Sequence, residues 1–294
     1  MADGCRQCPR NCGTDRKQMH GFCGMPKDIW ISRCAPHLWE EPPISGTRGS
    51  GTVFFTGCNL KCVFCQNAEI SRDHLGKAIT PEALTERMLS LAKEGVHNLN
   101  LVTATHYAES LIPVLQDIRA QTDIPIVWNS SGYESVAVLR RLEGLVDIYL
   151  PDFKYISAKL SSAYSAAPDY AEVASDALLE MYRQTREPVF DHDGIMRRGM
   201  IVRHLVLPGC RKDSIEVVRH LARLLPTESF KLSLMRQYTP EFALHTPYKN
   251  LHRRVTDFEY SSVVEEALRL GLDGYTQGKD SATSRFTPDF HEKH

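Results

Sequence analysis

The sequence predicts an α/β protein, a partial (β/α)6 TIM-like open barrel that follows an irregular cysteine-rich segment. Three observations lead to this fold class. Strand-like and helix-like patterns alternate from residue 51 to about residue 270, most cysteines lie before residue 66, and the segment ahead of the first strand has little periodicity. Alternating strands and helices predict a parallel sheet with helices outside it. Roughly six units are too few for a closed eight-stranded barrel, so the barrel should be partial.

Each of the expected β/α units has one strand and one helix. Short apolar runs predict strands at residues 52–56, 97–102, 124–128, 145–150, 200–207 and 230–235. Amphipathic patterns predict helices at residues 80–95, 107–120, 133–142, 170–185, 213–225 and 257–270. The first helix has the clearest limits, because Thr80 is suited to cap it, Pro81 to begin it and Gly95 to follow its end. Pro113 is expected to shorten or kink the second helix.

Composition divides the chain into three parts. Residues 1–48 are rich in Cys, Gly and Pro and are expected to form a metal-binding cap. Residues 49–280 should form the partial barrel, and residues 281–294 have the composition of a loose tail.

Charge and hydropathy exclude several classes of partner. The 294-residue chain has 35 Lys and Arg against 36 Asp and Glu, and no charged run that would attract nucleic acid or an anionic membrane surface. No apolar run approaches the roughly 18 residues of a membrane span. The N-terminus also lacks the apolar stretch of a signal peptide. We therefore expect a soluble, cytoplasmic protein with no nucleic-acid or membrane partner.

Three cysteines directly follow the first predicted strand. The stretch GCNLKCVFCQN spaces them as Cys58-x3-Cys62-x2-Cys65. Three thiolates on one loop can bind three irons of a 4Fe-4S cube, and the remaining iron then stays open to another ligand. A structural zinc site would need four closed ligands, and a disulfide would leave an odd cysteine. The spacing therefore favours an iron–sulfur cluster at the end of a barrel strand, where such folds carry their active sites.

With this triplet the chain resembles the radical S-adenosylmethionine (SAM) superfamily, whose signature is CxxxCxxC after the first strand, with an aromatic residue such as Phe64 before the last cysteine. The resemblance implies that SAM binds the open iron through its amino and carboxylate groups. It implies further that one electron from the cluster cleaves SAM to methionine and a 5′-deoxyadenosyl radical, which abstracts a substrate hydrogen. Cys58, Cys62 and Cys65 are then the catalytic and metal-binding residues of an oxidoreductase.

Three later segments are similar to the activating enzymes of glycyl-radical enzymes, such as pyruvate formate-lyase activating enzyme. They are VWNSSGY at residues 127–133, LPDFKY at 150–155 and IVRHLVLPGC at 201–210. By position, the resemblance implies that Arg203 pairs with the SAM carboxylate, to which a guanidinium is matched. It places Asp152, Lys154 and either Asn129 or Ser130 near the methionine half or the ribose. Taken singly, Asp152 and Lys154 also fit a solvated pair.

The second-strand segment departs from that family. Family members carry a Gly-Gly-Glu there that receives the SAM amino group, whereas this chain has LVTATHYAES at residues 101–110. Thr103, Thr105 and His106 are the candidates for that role, although His106 fits an ordinary helix-start residue equally well. The ferredoxin-like insert of many activating enzymes is absent after the triplet.

The N-terminal cysteines form a second candidate metal site, Cys5-x2-Cys8-x3-Cys12-x10-Cys23. So short a segment cannot fold alone, and a metal would stabilise it. Four thiolates suit zinc and a second iron–sulfur cluster equally well, and free thiols are a third alternative. Cys34 is an alternative fourth ligand. This stretch, continued through the triplet, resembles an uncharacterised branch of radical SAM proteins described as homologues of pyruvate formate-lyase activating enzyme.

Several other residues near these cysteines have two interpretations. Cys210 is expected to be a buried or loop thiol rather than a ligand. A group near the end of the N-terminal segment either lines the site or packs structurally: His37, Trp39, Glu40 and Glu41.

Three functions fit these patterns. The first is a radical SAM enzyme that activates a glycyl-radical enzyme or acts on a backbone glycine of a peptide. The second keeps the chemistry but acts on a small molecule or modified peptide, which the missing Gly-Gly-Glu favours. The third is a non-catalytic iron–sulfur or zinc protein. By resemblance, a flavodoxin or ferredoxin would be the electron donor.

Overall fold

A computed structural model describes residues 4–278 together with residues 281, 288 and 290. The rest of the predicted tail at residues 281–294 lies outside the described residues. The strands are β1 (Ile29–His37), β2 (Ser50–Phe55), β3 (Lys77–Ile79), β4 (Leu99–Val102), β5 (Ile126–Ser130), β6 (Ile148–Pro151), β7 (Val189–Phe190), β8 (Met196–Leu205), β9 (Lys231–Met235) and β10 (Gly274–Thr276). The α-helices are α1 (Pro42–Ser45), α2 (Ala68–Ser71), α3 (Pro81–Lys93), α4 (Ala108–Arg119), α5 (Val136–Arg141), α6 (Ala158–Ser165), α7 (Tyr170–Thr185), α8 (Arg211–Leu224) and α9 (Asp257–Arg269).

The strands form one mixed sheet that is mostly parallel. Its order is β10-β9-β8-β6-β5-β4-β2-β1-β3, with β7 paired to β8. Every neighbouring pair from β2 to β10 along this order is parallel. Among the described residues the sheet does not close, because β10 and β3 lie at its two edges. The open, partial barrel predicted from the alternation of strands and helices is therefore confirmed.

Strand β1 was not predicted. It pairs antiparallel with β2, from Ile31 opposite Phe55 to His37 opposite Ser50. Pro36 and the polar residues of the strand hide its alternation in the sequence. The predicted boundary at residue 48 thus falls between two strands that pair along their length, while residues 4–28 contain neither helix nor strand.

The helix limits agree with the caps expected for the first unit. Thr80 Oγ1 accepts a hydrogen bond from the Ala83 amide at 3.2 Å, and α3 begins at Pro81. Helix α4 runs through Pro113 rather than ending there. Pro113 is exposed, so the backbone carbonyl that its ring leaves unpaired can be solvated. No helix within the described residues is long and apolar enough to cross a membrane.

The two faces of the sheet carry separate hydrophobic clusters. Trp128 and Tyr149 pack in the large core that includes the outer helices. Successive residues of a strand point to opposite faces. Val127 and Ile148 accordingly belong to a smaller cluster, in which they pack with Ile44 of α1. Helix α1 therefore covers part of the concave face, and this brings the residues just before it into the interior of the partial barrel.

Candidate active site

One cavity of about 570 Å³ collects the ends of the parallel strands and the cysteine loop. The predicted site residues that line it are Cys58, Cys62, Phe64, Cys65, Thr103, Asn129, Ser130, Asp152, Lys154 and Arg203. His37, Trp39, Glu40 and Glu41 line it as well. A more open groove of about 770 Å³ lies against the N-termini of α8 and α9, and it contains none of these residues, although Cys210 lines it. The first cavity is therefore the candidate active site.

Polar groups from the loop and from two helices lie beside the sulfurs of the cysteine loop, residues 57–67. The Leu60 amide lies 3.4 Å from Cys58 Sγ, and the Ser71 hydroxyl lies 3.3 Å from Cys65 Sγ. The Ser165 hydroxyl, at the end of α6, lies 3.0 Å from Cys62 Sγ. Donors placed in this way stabilise thiolates over thiols.

The chemistry of this donor set fits an iron–sulfur cluster. Burial raises the pKa of Cys58 to about 12 and raises the pKa of Cys62, so neither thiolate would be stable there without added positive charge. The irons of a cluster would supply that charge. Among the described residues that line the cavity, the cysteines are Cys58, Cys62 and Cys65, which would leave one iron of a 4Fe-4S cube for an outside ligand.

A polar network lies on the strand ends that face the loop. Arg203 donates to Asp152 at 3.0 Å and to the Asn129 side-chain oxygen at 2.6 Å. Lys154 pairs with the second carboxylate oxygen of Asp152. Burial raises the pKa of Asp152, but Lys154 and Arg203 outweigh it and hold that pKa below its ordinary value. The network thus keeps a carboxylate and two cations charged inside the cavity.

Glu40 joins this network from the N-terminal part of the chain. Its side chain is only 8% exposed, and one oxygen accepts from Asn100 at 2.9 Å and from Asn129 at 3.1 Å. Its other oxygen lies 3.4 Å from Arg203. Burial raises the pKa of Glu40, and Arg203 offsets part of this increase. Of the two interpretations of the group around Glu40, lining the site agrees with this geometry.

The residues predicted to replace the Gly-Gly-Glu are separated by the structure. Thr103 lines the cavity with a φ of 62°, a left-handed conformation that is rare for a β-branched residue. Thr105 donates instead to the buried Glu134, and His106 donates to the Thr56 carbonyl at 2.8 Å. His106 is not among the residues that line the cavity, and its ring is directed toward the end of β2, so its contact with SAM or substrate stays a prediction.

Two residues near the site had no signal in the sequence. Ser165 contacts Cys62 although it lies 103 residues further along the chain. Glu134 is buried beneath β5, where it accepts from Thr105 and lies 3.4 Å from the indole nitrogen of Trp128. Burial raises the pKa of Glu134 to about 7. Only the packing of separate strands and helices brings Ser165 to Cys62 and Glu134 to Thr105 and Trp128.

The N-terminal cysteines converge at the edge of the same region. The Cys5 amide donates to Thr14 and the Gly13 amide donates back to Cys5, which places Cys5 beside Cys12. Cys8 and Cys23 interact electrostatically with the Cys5 thiol. Cys34 does not join them. It lies in β1 opposite Val53, with Arg87 and Glu94 as its charged neighbours, so the alternative of Cys34 as fourth ligand is wrong.

The chain is similar to several known proteins. A family model described as the radical SAM superfamily matches residues 52–181. An uncharacterised protein of Methanocaldococcus jannaschii is 30% identical over 278 residues, an alignment that covers 92% of this chain and 75% of that protein.

Two solved structures are similar to parts of the chain. Streptococcus suis SuiB bound to its precursor peptide SuiA has a TM-score of 0.51 at 13% identity, over 75% of this chain and 46% of that chain. A domain of pyruvate-formate lyase-activating enzyme from Bacteroides vulgatus has a TM-score of 0.42 at 14% identity, over 58% of this chain and 92% of that chain. The matched family region contains the cysteine loop and most of the strand ends that face it, and the curated relative matches almost the whole chain. Residues 52–181 of the chain therefore form a domain of the radical SAM superfamily.

Proposed function

We propose that this chain is a radical SAM enzyme that cleaves SAM reductively and abstracts a hydrogen atom from a substrate in the same cavity. The observation that carries the proposal is that the thiols of Cys58, Cys62 and Cys65 share one cavity with the Arg203–Asp152 network. When bound, a 4Fe-4S cluster supplies the electron that cleaves SAM.

The protein's own residues bind and orient SAM. Of the three contacts of Arg203, the one to Glu40 is the longest, at 3.4 Å. The Arg203 nitrogen that faces Glu40, Nη1, is therefore the one that would donate to a SAM carboxylate. The Glu40 carboxylate would then accept the SAM ammonium, and so provide the acidic group that the second strand lacks. Asp152 and Lys154 would then bind the ribose hydroxyls and the methionine half of SAM.

Two classes of substrate remain as proposals. The first is the backbone glycine of a glycyl-radical enzyme, in line with the similarity of the strand-end segments to activating enzymes. The second is a small molecule or modified peptide. One observation favours the second class: Glu41 lines the cavity, and its Oε2 atom is buried without a hydrogen-bond partner among the described residues. Such an oxygen costs free energy that a substrate amine would recover, and a small molecule or modified peptide can carry an amine, whereas a backbone glycine cannot.

The experiment that tests the enzymatic proposal is anaerobic reconstitution with iron and sulfide, followed by dithionite and SAM. We expect 5′-deoxyadenosine and methionine from the wild type. Cys58→Ser should abolish both products, whereas Cys34→Ser, a cysteine outside the cavity, should retain them. If reconstituted wild-type protein binds a full cluster and yields no 5′-deoxyadenosine, the chain is a non-catalytic iron–sulfur protein.

A second measurement separates the two substrate classes. Activation of a glycyl-radical enzyme would produce a glycyl doublet in the EPR spectrum of the partner, in proportion to the 5′-deoxyadenosine formed. A small-molecule or peptide substrate would instead transfer its own deuterium label to 5′-deoxyadenosine and leave no protein radical.

A further inference from the structure

We propose that Cys5, Cys8, Cys12 and Cys23 hold a second iron–sulfur cluster, not zinc, and that this cluster receives electrons from an acidic one-electron carrier protein. The inference rests on the proposed function, because a radical SAM enzyme needs an electron delivered to its buried cluster.

The N-terminal segment, residues 4–28, brings its thiols together without any helix or strand. Two backbone hydrogen bonds, of 2.9 and 3.1 Å, join Cys5 to the turn at residues 13–14. Arg16 is only 6% exposed and donates to the backbone carbonyls of Met25 and Pro26, so it fixes the approach to Cys23. A segment of this length, with converging thiols and no regular structure, is the kind that a metal centre organises.

The spacing of the sulfurs favours a cluster. A zinc ion would hold its sulfurs about 3.8 Å from one another, because tetrahedral Zn–S bonds are about 2.3 Å long. No three cysteine sulfurs of the described residues lie within 4.8 Å of one another, in the N-terminal segment or in the cysteine loop. The thiolates of a 4Fe-4S cube bind different irons and are further apart than ligands of a single ion. Neither cysteine set therefore has the close mutual spacing that one zinc ion requires, whereas a cube requires no such close spacing.

The two cysteine sets are in direct contact through their backbones. The Cys58 amide donates to the Cys23 carbonyl at 3.4 Å. Arg10 adds a second connection, because it donates to the Asn59 carbonyl at 2.7 Å and to the Ser165 carbonyl at 3.3 Å. A redox centre in the N-terminal segment would thus adjoin the cysteine loop. Zinc has no redox chemistry and would not use this proximity.

The outer surface of the segment is suited to a carrier protein. Cys12 is exposed, and so are the basic side chains of Arg6, Lys17 and Lys27. Met19 is 62% exposed and gives the surface an apolar contact point. A basic surface around an exposed redox centre attracts an acidic partner and orients it. One electron enters here from the reduced carrier and passes on to the Cys58 loop, with no proton or group transferred.

The first test is the metal content of the full chain, reconstituted anaerobically and measured by mass spectrometry and EPR. Wild type should hold roughly eight irons, and Cys8→Ser roughly four, if each site binds one cube. Cys34→Ser is the matched control and should equal wild type. A wild type with iron for one cube and one zinc that disappears in Cys8→Ser would overturn the proposal.

The second test compares two reductants by the 5′-deoxyadenosine that they yield. With dithionite, which reduces the Cys58 site without a carrier, Cys8→Ser should match wild type. With enzymatically reduced flavodoxin, it should be at least about tenfold slower. Equal flavodoxin rates in the two proteins would overturn electron entry at this site. A wild type that yields no 5′-deoxyadenosine with dithionite would reject the proposed function instead, and the iron content would still decide the second cluster.

A surface variant tests the partner separately and leaves every cysteine in place. The double change Arg6→Glu and Lys17→Glu should keep the iron content and the dithionite rate of wild type. It should slow the flavodoxin-driven rate about tenfold at low salt and reduce its salt dependence. Lys93→Glu, at the exposed end of α3, is the control. If the double variant is as fast as Lys93→Glu, or if neither flavodoxin nor ferredoxin reduces the wild type, the acidic carrier is excluded.

Discussion

Arg203 and Asp152 are paired twice, once through their side chains and once through the backbone. Arg203 Nε lies 3.0 Å from Asp152 Oδ1, and the two residues form a parallel β-bridge in which the Phe153 amide donates to the Arg203 carbonyl at 2.7 Å. The side-chain pair is therefore positioned by the register of β6 and β8. A guanidinium fixed in this way is preorganised for a carboxylate ligand, which lowers the entropic cost of binding.

Replacing the guanidinium should weaken SAM binding. Arg203→Lys keeps the charge but loses the planar fork that contacts Asp152 and Asn129 simultaneously. We expect the dissociation constant for SAM to rise about 10- to 100-fold. Equilibrium dialysis with the reconstituted protein measures this constant. Arg219→Lys, at a more exposed ion pair between α8 and α9, should leave it unchanged. An unaltered constant in Arg203→Lys would remove Arg203 from the SAM site.

The cysteine loop and the strand ends were predictable because their signals are local. The spacing of Cys58, Cys62 and Cys65 is contained in one loop, and Asp152 and Arg203 directly continue or lie within apolar strands. Because strands and helices alternate, the strands are expected to be parallel. Their carboxyl ends then lie at one edge of the sheet, and all of these residues meet there.

The sequence left two interpretations open for Glu40 and gave no signal for Ser165, because the positions of both residues depend on packing between distant elements. Glu40 reaches the cavity since Ile44, four residues later, is fully buried against Val127 and Ile148. Ser165 reaches Cys62 only through the placement of α6 after the sixth strand. Neither position has a period or a spacing that marks it in the sequence.

The hydroxyl of Ser165 should tune the reduction potential of the cluster. The Tyr155 hydroxyl and Cys62 Sγ each lie 3.0 Å from Ser165 Oγ. The tyrosine can therefore donate to the serine, and the serine can donate to the thiolate. Ser165→Ala removes a hydrogen bond that favours the reduced, more negative cluster. We expect the potential to fall by about 40 mV, which corresponds to about 1 kcal/mol for one electron. An EPR-monitored redox titration measures it.

The control for this variant is on the same helix. Ser161 is buried and donates to the Ala158 carbonyl within α6, so Ser161→Ala perturbs the helix but touches no sulfur. Its potential should equal that of wild type. The same shift in both variants would mean that the potential reports the packing of α6 and not the bond to Cys62.

Gly57 should be required for contact between the cysteine loop and the N-terminal segment. Its φ is +85°, and a Cβ atom there would meet the Met25 side chain and lie 2.9 Å from the Cys23 carbonyl. Gly95 has a similar φ of +88° but open space around it. Gly95→Ala should therefore lower the free energy of unfolding by only about 1 kcal/mol, which is the cost of placing alanine in the left-handed conformation. Gly57→Ala should cost more than twice as much in the free energy of unfolding. Anaerobic denaturant unfolding measures both free energies. Equal losses of stability in the two variants would show that the cysteine loop and the N-terminal segment are not tightly packed.

Glu134 should make the stability of the protein depend on pH. Burial raises its pKa to about 7 in the folded state, from an ordinary value of 4.5. Between these two values the folded protein keeps a proton that the unfolded chain has released. The free energy of unfolding should therefore be highest below the lower value and should fall as pH rises toward 7, by about 3 kcal/mol in all.

The variant Glu134→Gln should remove this dependence, because an amide can still accept from Thr105 but does not titrate over this range. We expect the variant to be less pH-dependent than wild type and more stable above about pH 7. Urea unfolding at a series of pH values measures both slopes. Glu86→Gln, an exposed carboxylate on α3, should retain the wild-type slope. A slope in Glu134→Gln equal to that of wild type would assign the pH dependence to other buried groups, of which Glu40 is the first candidate because burial also raises its pKa.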